Sequence, residues 1–544
     1  MISRILLPDW HLNSYVEITL IGILGIYALL WVSLQSTQDA REPRAMDTSI
    51  PFISPLINMV MRGSTYFQSR SSEPIYTLRL PGARLYIVNS TSLIPPVQRK
   101  SQTISFAPIL VQVAAGIIGF SRSGMDVVGK DPTDEHSLLE TSARNNTLTL
   151  TPGPRLHELN QSATRHISQS LDELKAAGKG KGESVLRLHE WVSRTIIKTS
   201  TETMYGPMNP FRDERNIGIW QEFGAGFVPL IVNVLPQLLA RKSVLARAKL
   251  VKCFEEYFQK QGHTHPEASA LVRNRHALFH ERGLSASDIA RHEVGTSLAL
   301  LINTIPATFW FVYHLFADAS LLRICREELS RGVVTAGEQG QGQGQGQGRQ
   351  SVELAFIKTA CPTFLSAFKE TLRFHGVNVA ARVVVEDTLI NEAYLLKKGG
   401  ILLIPGAVQH ALPSIWGEDA GEFNAARFLT KRRHNPAAFR VFGGGSVVCP
   451  GRYFATTEIL ALAALMVLRF DVRPCGGEGE GEGRREWVMP TVHKTNPGIS
   501  FQQPDEDVEV QVQARDACQW EIVVSRPDET AGMTSLGDVT VTNV

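Results

Sequence analysis

The stretch Phe442-Gly443-Gly444-Gly445-Ser446-Val447-Val448-Cys449-Pro450-Gly451-Arg452 sets one cysteine between a glycine-rich turn and an apolar run, Phe454 to Phe470. Any fold that contains it must bring a buried helix up to the cysteine directly after a tight turn. Glycines let the backbone take positive φ and bring its N–H groups close to a sulfur. Such groups, with the start of a helix, stabilise a thiolate over a thiol. A structural cysteine beside a glycine turn is the plain alternative. The joint spacing of Phe442, Gly445, Cys449 and Gly451 favours a metal ligand.

The rest of the chain has to supply a core around that turn. Hydrophobic residues make up 43% of the 544 and charged residues 20%, which suits a globular protein. A net charge of +2 gives no reason to expect nucleic acid, and no CxxC pair suggests zinc. The six cysteines are scattered, as reduced thiols are. Ile18 to Leu34 carries no charge and is long enough to cross a bilayer, with Tyr27 and Trp31 as interfacial anchors. Arg41, Arg44 and Arg62 outnumber Arg4, so the positive-inside rule puts the C-terminal side in the cytosol. The long apolar core without a small-residue cleavage site argues against a cleaved signal peptide.

Prolines 43, 51 and 55 stiffen the segment after this span. Ile75–Leu80, Pro81-Gly82 and Leu85–Val88 read as a β-hairpin, and beyond it the patterns are mainly helical. Alternating Gln-Gly (339–348) and Gly-Glu (476–483) tracts bury no apolar surface and read as surface insertions. The division is therefore a membrane anchor at 1–40, a proline-containing hinge at 41–55, one large domain at 56–512, and a tail at 513–544 without a legible motif.

Ser285 and Asp288 have capping-box spacing, and the helical run they open continues to about Phe316. Its centre is apolar around the whole circumference, which predicts burial. Asn303 and Thr304 interrupt that wall. Pro306 removes one N–H and clashes with the carbonyl of Ile302, opening the ladder beside Asn303. A groove able to hold water or dioxygen is one reading. Local satisfaction of Thr304 and Asn303 by backbone groups is the other.

Glu370 and Arg373 are three apart on one helical face, and Arg427 follows in Phe423-Asn-Ala-Ala-Arg427-Phe428. Exposed, such pairs are worth under ~1 kcal/mol. Buried as a triad, loss of one member costs roughly 3–5 kcal/mol. Arg382, in the strand-like Ala381–Val385, suits either an anionic group or plain solvent.

Taken together, these residues resemble a cytochrome P450, a haem-thiolate monooxygenase. The resemblance implies a mainly α fold with a small β-rich lobe behind an N-terminal transmembrane helix. It implies haem b with Cys449 as axial ligand and Phe442, Gly445 and Gly451 shaping the loop. Glu370, Arg373 and Arg427 would form a structural lock, and Arg382 would meet a haem propionate. Three departures stand out. Val447 replaces the usual propionate-binding arginine or histidine, Ala425 replaces a proline, and the long helix lacks the family's acid-threonine box. In its place Asn303-Thr304-Ile305-Pro306-Ala307 resembles the branch of steroid 7α-hydroxylases and prostacyclin synthase, and the C-terminal Lys494–Phe501 stretch resembles fungal members.

The resemblance further implies O2-dependent oxidation of an apolar small molecule, such as a sterol, terpenoid or fungal secondary metabolite. Asn303 and Thr304 would order water for proton delivery. Electrons would come from an NADPH-cytochrome P450 reductase, since no flavin or nicotinamide motif is present, with Lys431-Arg432-Arg433 as a docking aid or a solvated turn. The expected location is the endoplasmic reticulum membrane, single-pass, with the catalytic domain in the cytosol. Two alternatives stay open: a haem-thiolate isomerase or dehydratase acting on a peroxide, and a non-catalytic haem carrier or sensor.

Overall fold

The computed structural model describes residues 10–177, 184–336, 348–429, 435–475, 486–496 and 498–525. The Gly-Glu tract, the Lys431–Arg433 triplet and all but the last residue of the Gln-Gly tract lie outside the described residues. The chain forms two compact units, one of residues 1–106 and 380–408, the other of 107–379 and 409–544.

The first unit begins with the helix Trp10–Thr37. Within it Val16–Thr37 has a mean hydropathy of 2.0, and its apolar side chains are largely exposed until Leu34, which is buried. Its 22 residues span about 33 Å, enough for a hydrocarbon core of about 30 Å. The Thr37 carbonyl at its end accepts from Arg79 and Arg84, at 3.2 and 2.6 Å, so cations meet the negative end of the helix. Those arginines belong to the predicted hairpin, Ile75–Leu80 against Ala83–Val88, which turns on Gly82 at φ +71°. Ile401–Pro405 adds in parallel, and Val379–Val384 and Ile104–Ser105 complete a five-stranded sheet. Within the expected hinge, Ala45 bridges Thr77, fixed by Thr77 N–H to Arg44 O and Met46 N–H to Thr77 O, both 2.9 Å.

The second unit is mainly helical. Pro154–Ala177, Leu188–Tyr205, Thr304–Ala317 and Arg452–Arg469 pack on one another. Phe309, Trp310, Phe311 and Val312 are wholly buried, and Arg452–Arg469 is buried from Thr456 onward, as helices apolar on every face must be. Ser285 Oγ accepts from Asp288 N–H at 3.1 Å, the predicted start of the long helical run. The run is two helices, Ala286–Leu301 and Thr304–Ala317, separated at Ile302 and Asn303. Two three-stranded sheets flank the bundle. One of them includes Gln519–Val523, parallel to Arg349–Glu353, so part of the C-terminal tail is a paired strand.

Candidate functional site

The cysteine turn is a short hairpin. Gly443–Gly444 pairs with Val447–Val448, and Cys449 N–H donates to Phe442 O at 2.8 Å. Gly443 and Gly445 sit at φ +83° and +67°, conformations that L side chains rarely adopt. At Gly443 an added Cβ would also lie 2.6 Å from the Val447 carbonyl. Gly451 is different: a Cβ there makes only ordinary contact with the sulfur, at 3.9 Å.

Cys449 is exposed, yet burial pushes its thiol pKa up. Backbone N–H groups of Gly451 and Arg452, and the Arg452 charge, oppose that rise and favour the thiolate. Arg452 itself is held by the Cys449 carbonyl at 3.0 Å and lies over the Tyr453 ring.

Behind the turn lies a buried ionic network on the Pro362–His375 helix. Arg373 makes two hydrogen bonds to Glu370, both 2.7 Å, and Arg427 Nε adds a third at 3.0 Å. Glu370, Arg373 and Arg427 are 0%, 1% and 7% exposed. The remaining guanidinium donors reach the carbonyls of His410, Ala420, Trp416 and Asp419. Arg427 also holds the Asp419 carboxyl down at about 2. The sequence-predicted triad is therefore assembled, buried and hydrogen-bonded throughout, as an ionic cluster must be to offset desolvation.

Sequence reasoning missed His410. Its carbonyl accepts from Arg373, its Nδ1 donates to Gly376 O at 2.9 Å, and its Nε2 accepts from Arg440 N–H at 3.0 Å. Arg440 lies two residues before Phe442, so His410 joins the ionic cluster to the entry of the cysteine turn. Burial pushes its pKa down to about 4, consistent with a neutral ring that accepts at one nitrogen. A solitary histidine outside any motif gave no signal.

At the helix break both sequence-predicted residues are engaged. Asn303 Oδ1 accepts from Ser500 N–H at 2.9 Å, and Thr304 Oγ1 donates back to Leu300 O at 3.0 Å. Ser500 O in turn accepts from Val377 N–H at 2.8 Å. Asn303 thus fastens the break to the segment that follows Gly498.

Arg382 belongs to the first unit. Its guanidinium lies over the Phe106 ring and donates to Ala381 O at 2.7 Å. Burial pushes its pKa down to about 10, and it forms no ion pair among the described residues.

The chain matches the family model "Cytochrome P450" over residues 48–497. It is 32% identical over 508 residues to the cytochrome P450 monooxygenase nodJ of Hypoxylon pulicicidum, covering 90% of this chain and 92% of that one. A cytochrome P450 monooxygenase of Gibberella zeae is 26% identical over 84% of this chain and 87% of its own. The 25-hydroxycholesterol 7-alpha-hydroxylase of Rattus norvegicus is 23% identical over 60% of this chain and 79% of its own. In fold, the retinoic acid bound cyanobacterial CYP120A1 superposes with a TM-score of 0.65 at 17% identity, covering 88% of this chain and 100% of that one. With the helical bundle, the cysteine turn and these likenesses in place, the chain belongs to the cytochrome P450 monooxygenase family, among relatives that include fungal monooxygenases and the sterol 7α-hydroxylases.

Proposed function

We propose that the protein is a membrane-anchored haem-thiolate monooxygenase that oxidises an apolar, polycyclic small molecule with O2 and electrons from NADPH through a separate reductase. The observation that carries this is Cys449, an exposed residue after the glycine hairpin whose sulfur is faced by the N–H groups of Gly451 and Arg452. That donor set fits an anionic sulfur ligand to haem iron. Arg382, half-buried without an ion-pair partner among the described residues, has the chemistry to pair with a carboxylate such as a propionate.

Haem, when bound through a thiolate, supplies O2 activation for insertion of oxygen into a C–H bond. The chain supplies the rest. Gly451 and Arg452 N–H groups favour the anionic form of the sulfur against the burial that raises its pKa. The Glu370–Arg373–Arg427 cluster fixes the backbone that delivers the turn. Thr304 Oγ1, bonded to Leu300 O, can pass a proton only by turning from that carbonyl toward water, and Asn303 holds its own position through Ser500. An amide is no acid, so water ordered at the break has to deliver the proton.

The sterol hydroxylases among the relatives favour a sterol-like skeleton. The Trp10–Thr37 helix favours single-pass anchoring in the endoplasmic reticulum with the catalytic domain in the cytosol. The test is turnover with a reductase on a lipid extract under 18O2. Monooxygenation puts one labelled oxygen in the product and requires NADPH. Product formation without O2 or NADPH replaces this reading with peroxide isomerisation.

A further inference from the structure

In the first unit, the helix Ser54–Gln68 turns its apolar stripe outward. Ile53, Leu56, Ile57, Val60 and Met61 recur at the spacing that ordinarily faces a core, yet all five are exposed, Val60 and Met61 by 73% and 79%. The inner face is already occupied. Pro55, Tyr66 and Phe67 are buried, Asn58 and the Tyr66 hydroxyl donate to the Asp47 carboxylate at 2.6 and 2.8 Å, and Gln68 donates to Ala407 O at 3.1 Å. These bonds fix the rotation of the helix, so the stripe cannot turn inward without breaking them. A contiguous exposed apolar stripe marks an interaction surface.

What covers the stripe follows from where it begins. Arg79 donates to Thr37 O at 3.2 Å and to Thr37 Oγ1 at 2.8 Å, and its guanidinium lies over the Phe52 ring, 5.7 Å from the centroid. One side chain thus joins the end of the Val16–Thr37 span to the residue before Ile53. The intervening segment is fastened as well. Gln38 donates to Pro43 O at 3.1 Å, Asp39 pairs with Lys397 at 3.3 Å, Leu395 N–H donates to Arg41 O at 2.9 Å, and Glu42 accepts from the Tyr86 hydroxyl at 2.7 Å. A span that matches the hydrocarbon thickness ends at the water boundary of the bilayer, so the stripe starts at that boundary. From Ile53 to Met61 it extends only about 12 Å along the helix. The helix has no acidic residue, and its one charged side chain, exposed Arg62, suits anionic headgroups.

We propose that the Ile53–Met61 stripe lies in the headgroup–acyl boundary of the bilayer that the Trp10–Thr37 helix crosses, a second and interfacial membrane contact. This contact presupposes the anchoring proposed above and adds to it the surface on which the first unit rests. A helix of this kind sinks its apolar face by about 5–10 Å and holds far less firmly than a span, so it orients the protein while the span retains it.

The test is quenching of a fluorophore carried on Val60→Cys or Met61→Cys in the full-length holoenzyme, reconstituted into phosphatidylcholine–phosphatidylserine vesicles, with the unsubstituted protein as the labelling blank. Both positions are exposed, so the label spares the core. A nitroxide on the lipid acyl chain should quench the label several-fold more than iodide in the water does. A label open to iodide overturns the contact. One shielded from both quenchers marks a protein partner and overturns it as well. Anchoring fails by a different result, release of the full-length chain by carbonate. Labels open to iodide on a chain that carbonate leaves in the membrane therefore count against the stripe alone.

Discussion

Glu370 accepts from both guanidinium groups and from Asn424 N–H, and its carboxylate is wholly buried. Arg427→Ala leaves a buried carboxylate short of one cation, at an expected cost of about 3 kcal/mol; chemical denaturation should show it. Glu370→Gln should cost as much, because buried Arg373 then loses its counter-charge and Arg427 keeps only Asp419. Unchanged unfolding midpoints in both variants would mean that the cluster bears no load. Glu-x-x-Arg and the later arginine were legible because spacing on a helix brings residues three apart together. His410 was not, since its partners Arg373, Gly376 and Arg440 converge only in the folded chain. Arg382 was legible as a cation and illegible as a half-buried one resting on Phe106.

The long helical run shows the same boundary between pattern and packing. Its start at Ser285 and its interruption beside Asn303 follow from a capping hydroxyl and from Pro306, which leaves Ile302 O without its helical donor. The bond from Ser500 to Asn303 crosses 197 residues and no local pattern encodes it. Asn303→Ala strands the Ser500 N–H and should cost about 1–3 kcal/mol, with protease sensitivity rising around residues 494–503. Unaltered stability and cleavage would leave Asn303 without this role.

The Thr304–Ala317 helix also carries His314, whose Nε2 meets His375 Nε2 at 2.8 Å between the Phe423 and Trp310 rings. His375 Nδ1 donates to Gln502 Oε1, so its Nε2 accepts from His314. Burial pushes His314 down to about 3 and His375 well below its ordinary value. Folded-state values below the unfolded one mean that the unfolded chain binds more protons in between. The stability held above about pH 6.5 should therefore fall steadily as pH drops toward 3. Urea unfolding at pH 7 and pH 5 should show this loss, and His314→Phe should reduce it. An identical pH slope in that variant would exclude the pair as its origin.

For the whole molecule, the sequence reading and the structure agree on a mainly helical protein with small sheets. They diverge most where strands pair over long distances. Gln519–Val523 carries no motif and becomes a strand because Arg349–Glu353 offers it an edge. The Trp10–Thr37 helix needed only hydropathy to be found. Deleting residues 1–37 should release the protein from membranes into the supernatant after carbonate extraction. Retention of the truncated chain would assign membrane binding to other surfaces.

The central assignment is a thiolate at Cys449 beneath the haem, and the carbon-monoxide spectrum of the reduced protein reports it directly. The wild type should show its Soret band at the thiolate position, and Cys449→Ser should lose that band. A wild-type spectrum lacking the thiolate band, or one that Cys449→Ser leaves unaltered, would contradict it.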